Sequence, residues 1–387
     1  MREKISKSKE LEPPNEKING INRIGLVGFK YHSSGGGNIH FKNLIPCWES
    51  SGIKISSVKS IMGEEFSFLS VFRATIKAMF LRADKFSDIS KNDIILSVSP
   101  YPMDFILAFR LSHKYKRPLT VYIHHITPSI LIHPYRRGTF RVFLNVSYIT
   151  VLLAFLNHFK IPIFLDNPRT LTKHSMKVFP DFDAIPKVVN SQPPLEKPRG
   201  LYDITYIGRI ENHKGVMDII KVVEILIKKY SMPLKVILAG RGEEKYVNKI
   251  KKIIKKLDLA KNIILKGFIL ENEKYELLRN SKVFLFLSYE EGWAISVMEA
   301  ASMGTPVVAY SLPAYYYLRG NYFPVKVGNI QLCADTVKQI LDNYGTVMEK
   351  TMKAKECVDS YSYNFIAKQQ LIFFSRIAEE YKVSFHE

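Results

Sequence analysis

The sequence predicts an α/β protein in which two doubly wound parallel-sheet domains face each other across a cleft. At 387 residues the chain is too long for one typical core and suits two domains of ordinary size. Short apolar runs alternate with helix-length stretches, and this alternation stops and restarts once. Hydrophobic residues make up 47% of the chain, so folding can offset its entropy cost and most of the chain should be ordered.

The first half carries four candidate strands. Each is a short apolar run that ends in Gly, Pro, His or Asn, and helix-length stretches separate the runs. Such alternation is typical of βαβ units, whose parallel strands are buried on both faces. The four runs span residues 23–29, 93–100, 118–125 and 161–167.

A segment rich in proline and polar residues, 190–203, precedes the second set of strands. We place the domain boundary inside it, which gives domains at 21–195 and 196–361. In doubly wound domains ligands bind at the carboxyl ends of the strands, so the cleft should hold the site. The second set of strands spans 203–209, 234–242, 262–268, 282–288 and 306–310.

Composition limits the classes of binding partner, the location and the kinds of site that the sequence predicts. Residues 1–20 are charged and broken by prolines, without an apolar signal core, so we expect a flexible tail and a cytoplasmic protein. Three distant cysteines argue against a disulfide framework or a zinc cluster. The formal charge of +20 favours anionic lipids, nucleic acids or phosphorylated substrates. Nucleic acid ranks low because no zinc-finger spacing or RNP-like motif is present.

A glycine-rich turn follows the first strand, in "KYHSSGGGNIHF" (30–41). Gly35 and Gly36 would let main-chain amides approach a phosphate before the next helix begins. The turn lacks both the G-x-G-x-x-G pattern and the Walker lysine, which excludes the common dinucleotide and P-loop sites. A flexible turn without a ligand explains these glycines equally well.

Two cations follow the first strand of the second domain, in "YIGRIENHKG" (206–215). Gly208 ends the strand, and Arg209 and Lys214 come directly after it. Arginine binds phosphate oxygens bidentately and lysine adds a point charge, so together they suit a diphosphate. The alternative is two solvated surface cations in a chain that holds 56 Lys and Arg.

Two glutamates, Glu291 and Glu299, interrupt the otherwise apolar or small run "SYEEGWAISVMEAASMGTP" (288–306). A buried carboxylate without partners is costly, so a protein group or a ligand must satisfy each one. If the intervening residues were mostly helical, the backbones of the pair would lie about 12 Å apart. Glycosidases hold their acid and base at roughly 5 to 9.5 Å, so the pair better fits the two ends of an extended ligand.

A sugar nucleotide is such a ligand. One carboxylate would accept hydrogen bonds from the sugar and the other from the ribose. Main-chain amides at the helix start would face the sugar and phosphates; they belong to Gly292, Trp293, Ala294 and Ile295. In the alternative, Glu291 caps the helix and Glu299 pairs with a basic neighbour.

The stretch "EGWAISVMEAASMGTPVV" resembles the E-x7-E signature of family-4 retaining glycosyltransferases, which have the GT-B fold. The resemblance continues upstream, in the same order as in the family, through "GRIENHKG", "ILAGRGEE" and "KGFILENEKYELLRNSKVFLFLS". It covers much of the second domain closely. The first domain matches more loosely, through the glycine-rich turn and "VYIHH".

The resemblance implies a role for each matched residue. Arg209 and Lys214 would hold the donor diphosphate. Glu299 would bind the nucleotide ribose, while Glu291 and the amides after it would contact the transferred sugar. The family often has Gly-Phe-Gly or Gly-Phe-Ala after the first glutamate, whereas this chain has Gly-Trp-Ala, so sugar identity is less transferable.

The loop Gly267, Phe268 and Ile269 would, by the same resemblance, lie beside the base. His124 matches the histidine of the first domain that lies over the sugar at the reaction centre. His125 is adjacent, and the sequence leaves open which of the two faces that centre. Residues 362–387 would form a helix that crosses back to the first domain.

The implied function is a retaining, metal-independent hexosyltransferase that uses a UDP- or GDP-linked sugar and no other cofactor. Its acceptor would be a lipid-linked or polysaccharide precursor. A sugar-nucleotide epimerase of the same architecture and a non-catalytic sugar-nucleotide binder remain as alternatives. "DFD" (181–183) resembles a metal-binding motif, but it lies away from any strand end, and no metal site is expected.

Two apolar segments that contain basic residues could contact a membrane surface. Residues 66–86 predict a basic amphipathic helix, and 133–159 predict a buried or interfacial helix too short to span a bilayer. Peripheral membrane association is one interpretation and ordinary packing on the sheet is the other. The apolar face of the first helix consists of Phe68, Leu69, Phe72, Ile76, Met79 and Phe80.

Overall fold

The computed structural model of the chain describes residues 20–29, 36–61, 68–123, 139–165, 178–180, 200–359 and 361–384. Within these ranges it gives no side-chain description for 36–39, 68, 139–146 and 178–180. The described strands form two six-stranded sheets, and every strand pair in both is parallel. The predicted α/β class with two doubly wound domains is confirmed.

The first sheet has the strand order β2-β1-β3-β4-β5-β6. The direction of winding reverses between β1 and β3. Its strands are β1 (Arg23–Val27), β2 (Lys54–Val58), β3 (Ile94–Ser97), β4 (Leu119–Ile123), β5 (Ile163–Leu165) and β6 (Val178–Pro180). Its helices are α1 (Gly36–Ser50), α2 (Phe68–Phe80), α3 (Pro102–Tyr115) and α4 (Thr139–His158), with a 3₁₀ segment at Ala83–Lys91.

The second sheet has the order β12-β11-β10-β7-β8-β9 and reverses between β7 and β10. Its strands are β7 (Tyr202–Ile207), β8 (Val236–Ala239), β9 (Ile263–Gly267), β10 (Ser281–Phe286), β11 (Val307–Tyr310) and β12 (Phe323–Val325). The remaining helices are α5 (Val216–Lys228), α6 (Glu244–Lys256), α7 (Glu271–Arg279), α8 (Ile295–Ser302), α9 (Ile330–Asp342), α10 (Met348–Asp359) and α11 (Tyr363–Ser384). The 3₁₀ segments are Asn212–Lys214, Pro313–Leu318 and Tyr344–Val347.

All nine predicted strands are present. Most of them are buried on both faces, as their apolar runs predicted, whereas β9 lies at a sheet edge and is mostly exposed or half-buried. Every residue of β3, β4 and β8 is buried. Three strands were missed. β2 lies at a sheet edge and is largely exposed or half-buried, so it lacks a continuous apolar run. β6 and β12 have only three residues each, too few to show a period.

Helix α11 packs against α1 of the first domain, so the end of the chain lies on that domain. The Trp48 and Phe374 ring centroids are 5.8 Å apart, and those of Phe164 and Phe374 are 5.1 Å apart. The Tyr363 ring lies 6.0 Å from that of His40. An aromatic seam therefore joins α11 to α1 and to β5.

Within the described residues no helix is both long enough and apolar enough to cross a membrane.

Replacing Phe374 by alanine should destabilise the protein by about 3–5 kcal/mol, because it opens a cavity in this buried seam. Denaturant unfolding at equilibrium measures the change. Phe80→Ala is the matched control, since Phe80 is 80% exposed and its truncation leaves no cavity. Equal losses in the two variants would contradict the packing role of α11.

Candidate active site

The residues predicted for the second domain lie at or after the carboxyl ends of β7, β9 and β10. The loop after β7 and the loop after β10 are neighbours, because the strand order reverses between these two strands. Ligands of doubly wound sheets bind at this reversal, where the flanking helices leave a crevice. The topology alone therefore selects this edge as the candidate site.

The loop after β7 is shaped by two glycines. A Cβ on Gly208 would lie 2.6 Å from Oη of Tyr206, and one on Gly215 would lie 1.8 Å from the carbonyl oxygen of Leu287. Gly215 also has a φ of +69°, which favours glycine. Tyr206 donates to the carbonyl oxygen of Arg209 at 2.8 Å. Burial raises the pKa of Tyr206 well above 10.0, so this donor keeps its proton.

Arg209 and Lys214 extend from this loop in different environments. The Arg209 side chain is 63% exposed, and its Nη1 donates to Oε1 of Glu211 at 3.0 Å. The Lys214 side chain is only 13% exposed, and its Nζ lies 2.6 Å from Oε1 of Glu291. The ion pair joins the loop after β7 to the loop after β10 at the strand reversal.

Main-chain contacts fix the same two loops against each other. The amide of Tyr289 donates to the carbonyl oxygen of His213 at 2.9 Å. The hydroxyl of Ser288 donates to the same carbonyl at 3.4 Å and to the carbonyl oxygen of Glu290 at 3.0 Å. The position of Lys214 relative to Glu291 is therefore set by the backbone as well as by charge.

Helix α8 begins at Ile295, so Glu291 precedes it. The separation of about 12 Å between the backbones of Glu291 and Glu299 assumed a helix over most of the segment. Only the part from Ile295 onward is helical, so the helical rise applies to that part alone. The N-cap residue is Ala294, with a φ of +60°, so the alternative in which Glu291 caps the helix is wrong. In the first turn the amide of Val297 donates to the carbonyl oxygen of Ala294 at 2.9 Å, whereas the amides of Ile295 and Ser296 have no carbonyl four residues earlier within the helix.

The Trp293 side chain lies in the core. It is 2% exposed, and its ring lies 4.7 Å from Tyr317 and 5.8 Å from Tyr361. The Gly-Trp-Ala departure from the family pattern is therefore a core substitution at this position. Of Trp293, the main chain alone is placed to meet a ligand at the loop.

Glu299 is 4% exposed, and its Oε1 lies 2.5 Å from Nζ of Lys274. Burial raises the pKa of Glu299, although Lys274 opposes this shift. The pairing of Glu299 with a basic neighbour, one of the two alternatives, is thus present. Within the described part of the chain, Oε2 of Glu299 and of Glu291 receives no hydrogen bond, which leaves one acceptor on each glutamate.

The loop after β9 presents Phe268, which is 59% exposed, between Gly267 and the buried Ile269. The guanidinium of Arg241, from the loop after β8, lies 4.1 Å from the centroid of the Phe268 ring. This stacked pair offers a flat surface at the outer end of the site. Arg241 is not among the predicted site residues, although its position just after strand β8 was a usable signal.

His124, His125 and Gly35 lie outside the described residues, as does the "DFD" segment. Gly36 is the first residue of α1. Among the residues that the structure describes, no group of three or more His, Cys, Asp or Glu side chains could hold a metal ion.

Asp218 is a buried carboxylate beside the site that no sequence motif had indicated. It lies in the first turn of α5, directly after the Lys214 loop, and is 5% exposed. The hydroxyls of Tyr289 and Tyr310 both donate to its Oδ2, the latter at 2.7 Å. Asp218 therefore links the helix after Lys214 to the loop that carries Glu291.

The family model "Glycosyl transferases group 1" matches residues 190–357. An uncharacterized glycosyltransferase of Methanocaldococcus jannaschii is 33% identical over 143 residues, covering 35% of this chain and 34% of that protein. The poly(ribitol-phosphate) alpha-N-acetylglucosaminyltransferase of Staphylococcus aureus is 29% identical over 177 residues, covering 44% and 35%. The chain thus aligns with about a third of the length of these relatives.

Solved structures match almost the whole chain. Anabaena HepE in complex with UDP and glucose has a TM-score of 0.66 at 14% identity, covering 92% of this chain and 100% of its own. Sucrose-phosphate synthase from Thermosynechococcus elongatus has a TM-score of 0.74 at 13% identity, covering 93% and 100%. The fold is GT-B. Within it, the domain that holds the paired lysines and glutamates is the part that matches the group 1 glycosyl transferases.

Tyr289→Phe and Tyr310→Phe each remove one hydrogen bond to Asp218, so each should cost about 1 kcal/mol of stability. Only Tyr289 belongs to the loop of Glu291. We expect Tyr289→Phe to speed amide hydrogen exchange in the loop at 288–294 by about tenfold and Tyr310→Phe to leave it nearly unchanged. Hydrogen exchange followed by mass spectrometry measures both. Equal exchange rates in the two variants would show that Asp218 stabilises the domain without positioning the loop.

Proposed function

We propose that the protein is a retaining, metal-independent hexosyltransferase of the family-4 type. It moves a hexose from a UDP- or GDP-linked sugar to an acceptor hydroxyl on a lipid-linked or polysaccharide precursor. The observation that carries the proposal is the Lys214–Glu291 ion pair at the strand reversal, beside the exposed Arg209. The family match of this domain and the UDP-bound GT-B neighbours support the same conclusion.

The diphosphate of the donor binds Arg209 and Lys214. An arriving diphosphate competes with Glu291 for Lys214, because its charge is greater than that of one carboxylate. The exposed guanidinium of Arg209 turns from Glu211 to the phosphate oxygens. Both cations then stabilise the charge that develops on the leaving diphosphate, which is the main electrostatic task of the reaction.

The sugar lies against Glu291 and the start of α8. Its hydroxyls donate to the carboxylate, and the first-turn amides of the helix face the sugar and phosphates. Because Lys214 and Glu291 are already in contact, the phosphate site and the sugar site are adjacent before the donor binds. The donor needs little rearrangement of these two loops.

The nucleoside lies at the other end. Ribose hydroxyls donate to Glu299, whose Oε1 is held by Lys274. The base lies beside Phe268, whose ring is stacked with Arg241. Placing these contacts on separate elements lets the site distinguish a nucleotide-linked sugar from a free sugar phosphate.

Retention is supported by the names of two relatives, an alpha-N-acetylglucosaminyltransferase and an alpha-glucosyltransferase. UDP-glucose is itself α-linked, so an α-linked product keeps the anomeric configuration. The acceptor hydroxyl attacks from the face that the diphosphate leaves. His124, or its neighbour His125, lies over the sugar in this proposal.

The protein acts in the cytoplasm and associates peripherally with the membrane that carries its acceptor. Arg209 and Lys214 take the place of a metal ion at the diphosphate. No cofactor other than the donor is needed, because the reaction is a group transfer without a redox step.

Glu291→Ala should lower sugar transfer by at least about 10²-fold, because the sugar loses the contact that orients it. The assay incubates the protein with radiolabelled UDP- and GDP-sugars and a lipid extract, and follows label in the lipid or polymer. The matched control is Glu349→Ala, which breaks an exposed surface pair with the same N–O distance of 2.6 Å. It should retain full activity.

Undiminished transfer by Glu291→Ala would overturn the site assignment. Release of an epimerised free donor by the unaltered protein would support the epimerase instead, and binding without turnover would support the non-catalytic binder.

The affinity for a UDP-sugar should fall on acidification, starting at a pH above 4.5. Burial raises the pKa of Glu299, so this carboxylate takes up its proton earlier than an ordinary glutamate and then accepts ribose hydrogen bonds less well. A UDP-sugar is the proper probe, since its diphosphate diester does not titrate in this range. Glu299→Gln should bind more weakly and lose this pH dependence. A pH profile that the variant shares with the unaltered protein would contradict the assignment of Glu299.

A further inference from the structure

Helix α2 presents large apolar side chains to solvent along its whole length. Phe72 is 53% exposed and Phe80 is 80% exposed. No other helix within the described residues presents more than one such exposed apolar side chain. The exposed set consists of Leu69 (53%), Phe72, Ile76 (40%), Met79 (47%) and Phe80.

These side chains form one stripe. At about 100° per residue they cover an arc of about 100°, which is the width of an ordinary buried helix face. The face that is actually buried carries Ala74 and Ala78, and it lies about 170° away from the middle of the stripe. Packing within the first domain therefore does not explain the apolar residues of α2, since the side of the helix that packs on α3 carries small alanines.

The helix is firmly attached through its alanine side. It packs on α3, and Nη1 of Arg110 donates to the carbonyl oxygens of Ala78 and Leu81 at 2.6 and 2.9 Å. These bonds satisfy carbonyls at the carboxyl end of α2. The apolar stripe is thus held outward by the fold.

Basic residues border the stripe. Arg73 and Lys77 are both exposed and lie next to it on one side, while α2 has no acidic residue. An apolar face flanked by cations matches the boundary of an anionic bilayer, where acyl chains take up the apolar groups and headgroups neutralise the cations. The formal charge of +20 also favours binding to an anionic membrane surface.

We propose that the outer face of α2, formed by Leu69, Phe72, Ile76, Met79 and Phe80 with Arg73 and Lys77 beside it, docks on an anionic lipid bilayer. The helix lies parallel to the surface, so the first domain faces the membrane. This docking rests on α2 alone and does not depend on the donor chemistry of the second domain. It would bring the proposed acceptor domain to a lipid-borne substrate.

The test is co-sedimentation of the full chain with vesicles of phosphatidylcholine, with and without phosphatidylglycerol, at physiological salt. We expect binding to the anionic vesicles. Phe72→Ser with Phe80→Ser should weaken it at least about tenfold, and Arg73→Gln with Lys77→Gln should weaken it similarly. The catalytic variant Glu291→Ala should bind vesicles like the unaltered protein, which separates this proposal from the proposed function.

Matched controls come from elsewhere on the surface. Leu332→Ser removes a 45% exposed apolar side chain from α9, and Lys249→Gln with Lys252→Gln removes two exposed charges from the lysine-rich α6. Both should leave vesicle binding nearly unchanged. Equal losses in these controls would mean that total charge or hydrophobicity governs binding, and would overturn the assignment to α2.

A second measurement reports insertion. The two natural tryptophans, Trp48 and Trp293, are 0% and 2% exposed, so Phe80→Trp adds one exposed reporter. Its emission should shift to the blue on anionic vesicles and be quenched by brominated lipid. An unshifted emission would overturn the proposal. So would a dimer in analytical ultracentrifugation that Phe72→Ser with Phe80→Ser dissociates, because α2 would then be covered by a second copy.

Discussion

The candidate site depends on how closely the loop after β7 can approach the loop after β10. A side chain at Gly215 would overlap the carbonyl oxygen of Leu287, and one at Gly208 would overlap the Tyr206 hydroxyl. Gly215 therefore lets the main chains of the two loops meet, and the hydrogen bond from the amide of Tyr289 to the carbonyl oxygen of His213 then fixes them. Lys214 reaches Glu291 only because of this approach. The described strands of the second sheet reverse their order once, between β7 and β10, so the charge-bearing loops after these two strands meet there.

Glu291 and Glu299 are both largely buried, where a carboxylate loses hydration free energy. Burial raises the pKa of Glu299, so between 4.5 and that raised value the folded state binds more protons than the unfolded state. Glu299 therefore lowers stability as the pH rises through this window. Lys274 offsets part of the cost, as Lys214 does for Glu291. A lysine that pairs with a buried carboxylate in the free protein can later bind a ligand instead. Buried ion pairs of this kind add little to stability, so a role in ligand binding explains them better.

Much of the fold was predictable because strands buried on both faces leave continuous apolar runs in the sequence. The edge strand β2 and the three-residue strands β6 and β12 leave no such run. In the site, the residues that follow strands were found by position and by family resemblance. The side chains that pair with these residues were not predicted, because they come from distant parts of the chain. Lys274 is 25 residues from Glu299, and Asp218 is 92 residues from Tyr310. The burial of the Trp293 ring likewise depends on Tyr317, which lies in a 3₁₀ segment. No hydrophobic period in the sequence predicts that segment.

The burial of Trp293 links the site to the rest of the molecule. Its ring contacts Tyr361, two residues before the start of α11, and Phe374 of α11 packs against Trp48 of α1. At the start of α11, Tyr363 lies beside His40, which in turn hydrogen-bonds Tyr122 of β4 at 3.1 Å. A ligand that shifts the Glu291 loop must move Trp293 within a close-packed aromatic cluster, and such clusters do not deform gradually. The helix that packs on the first domain therefore begins two residues after a ring that contacts Trp293, so the core beside the Glu291 loop and the aromatic seam of α11 are neighbours along the chain.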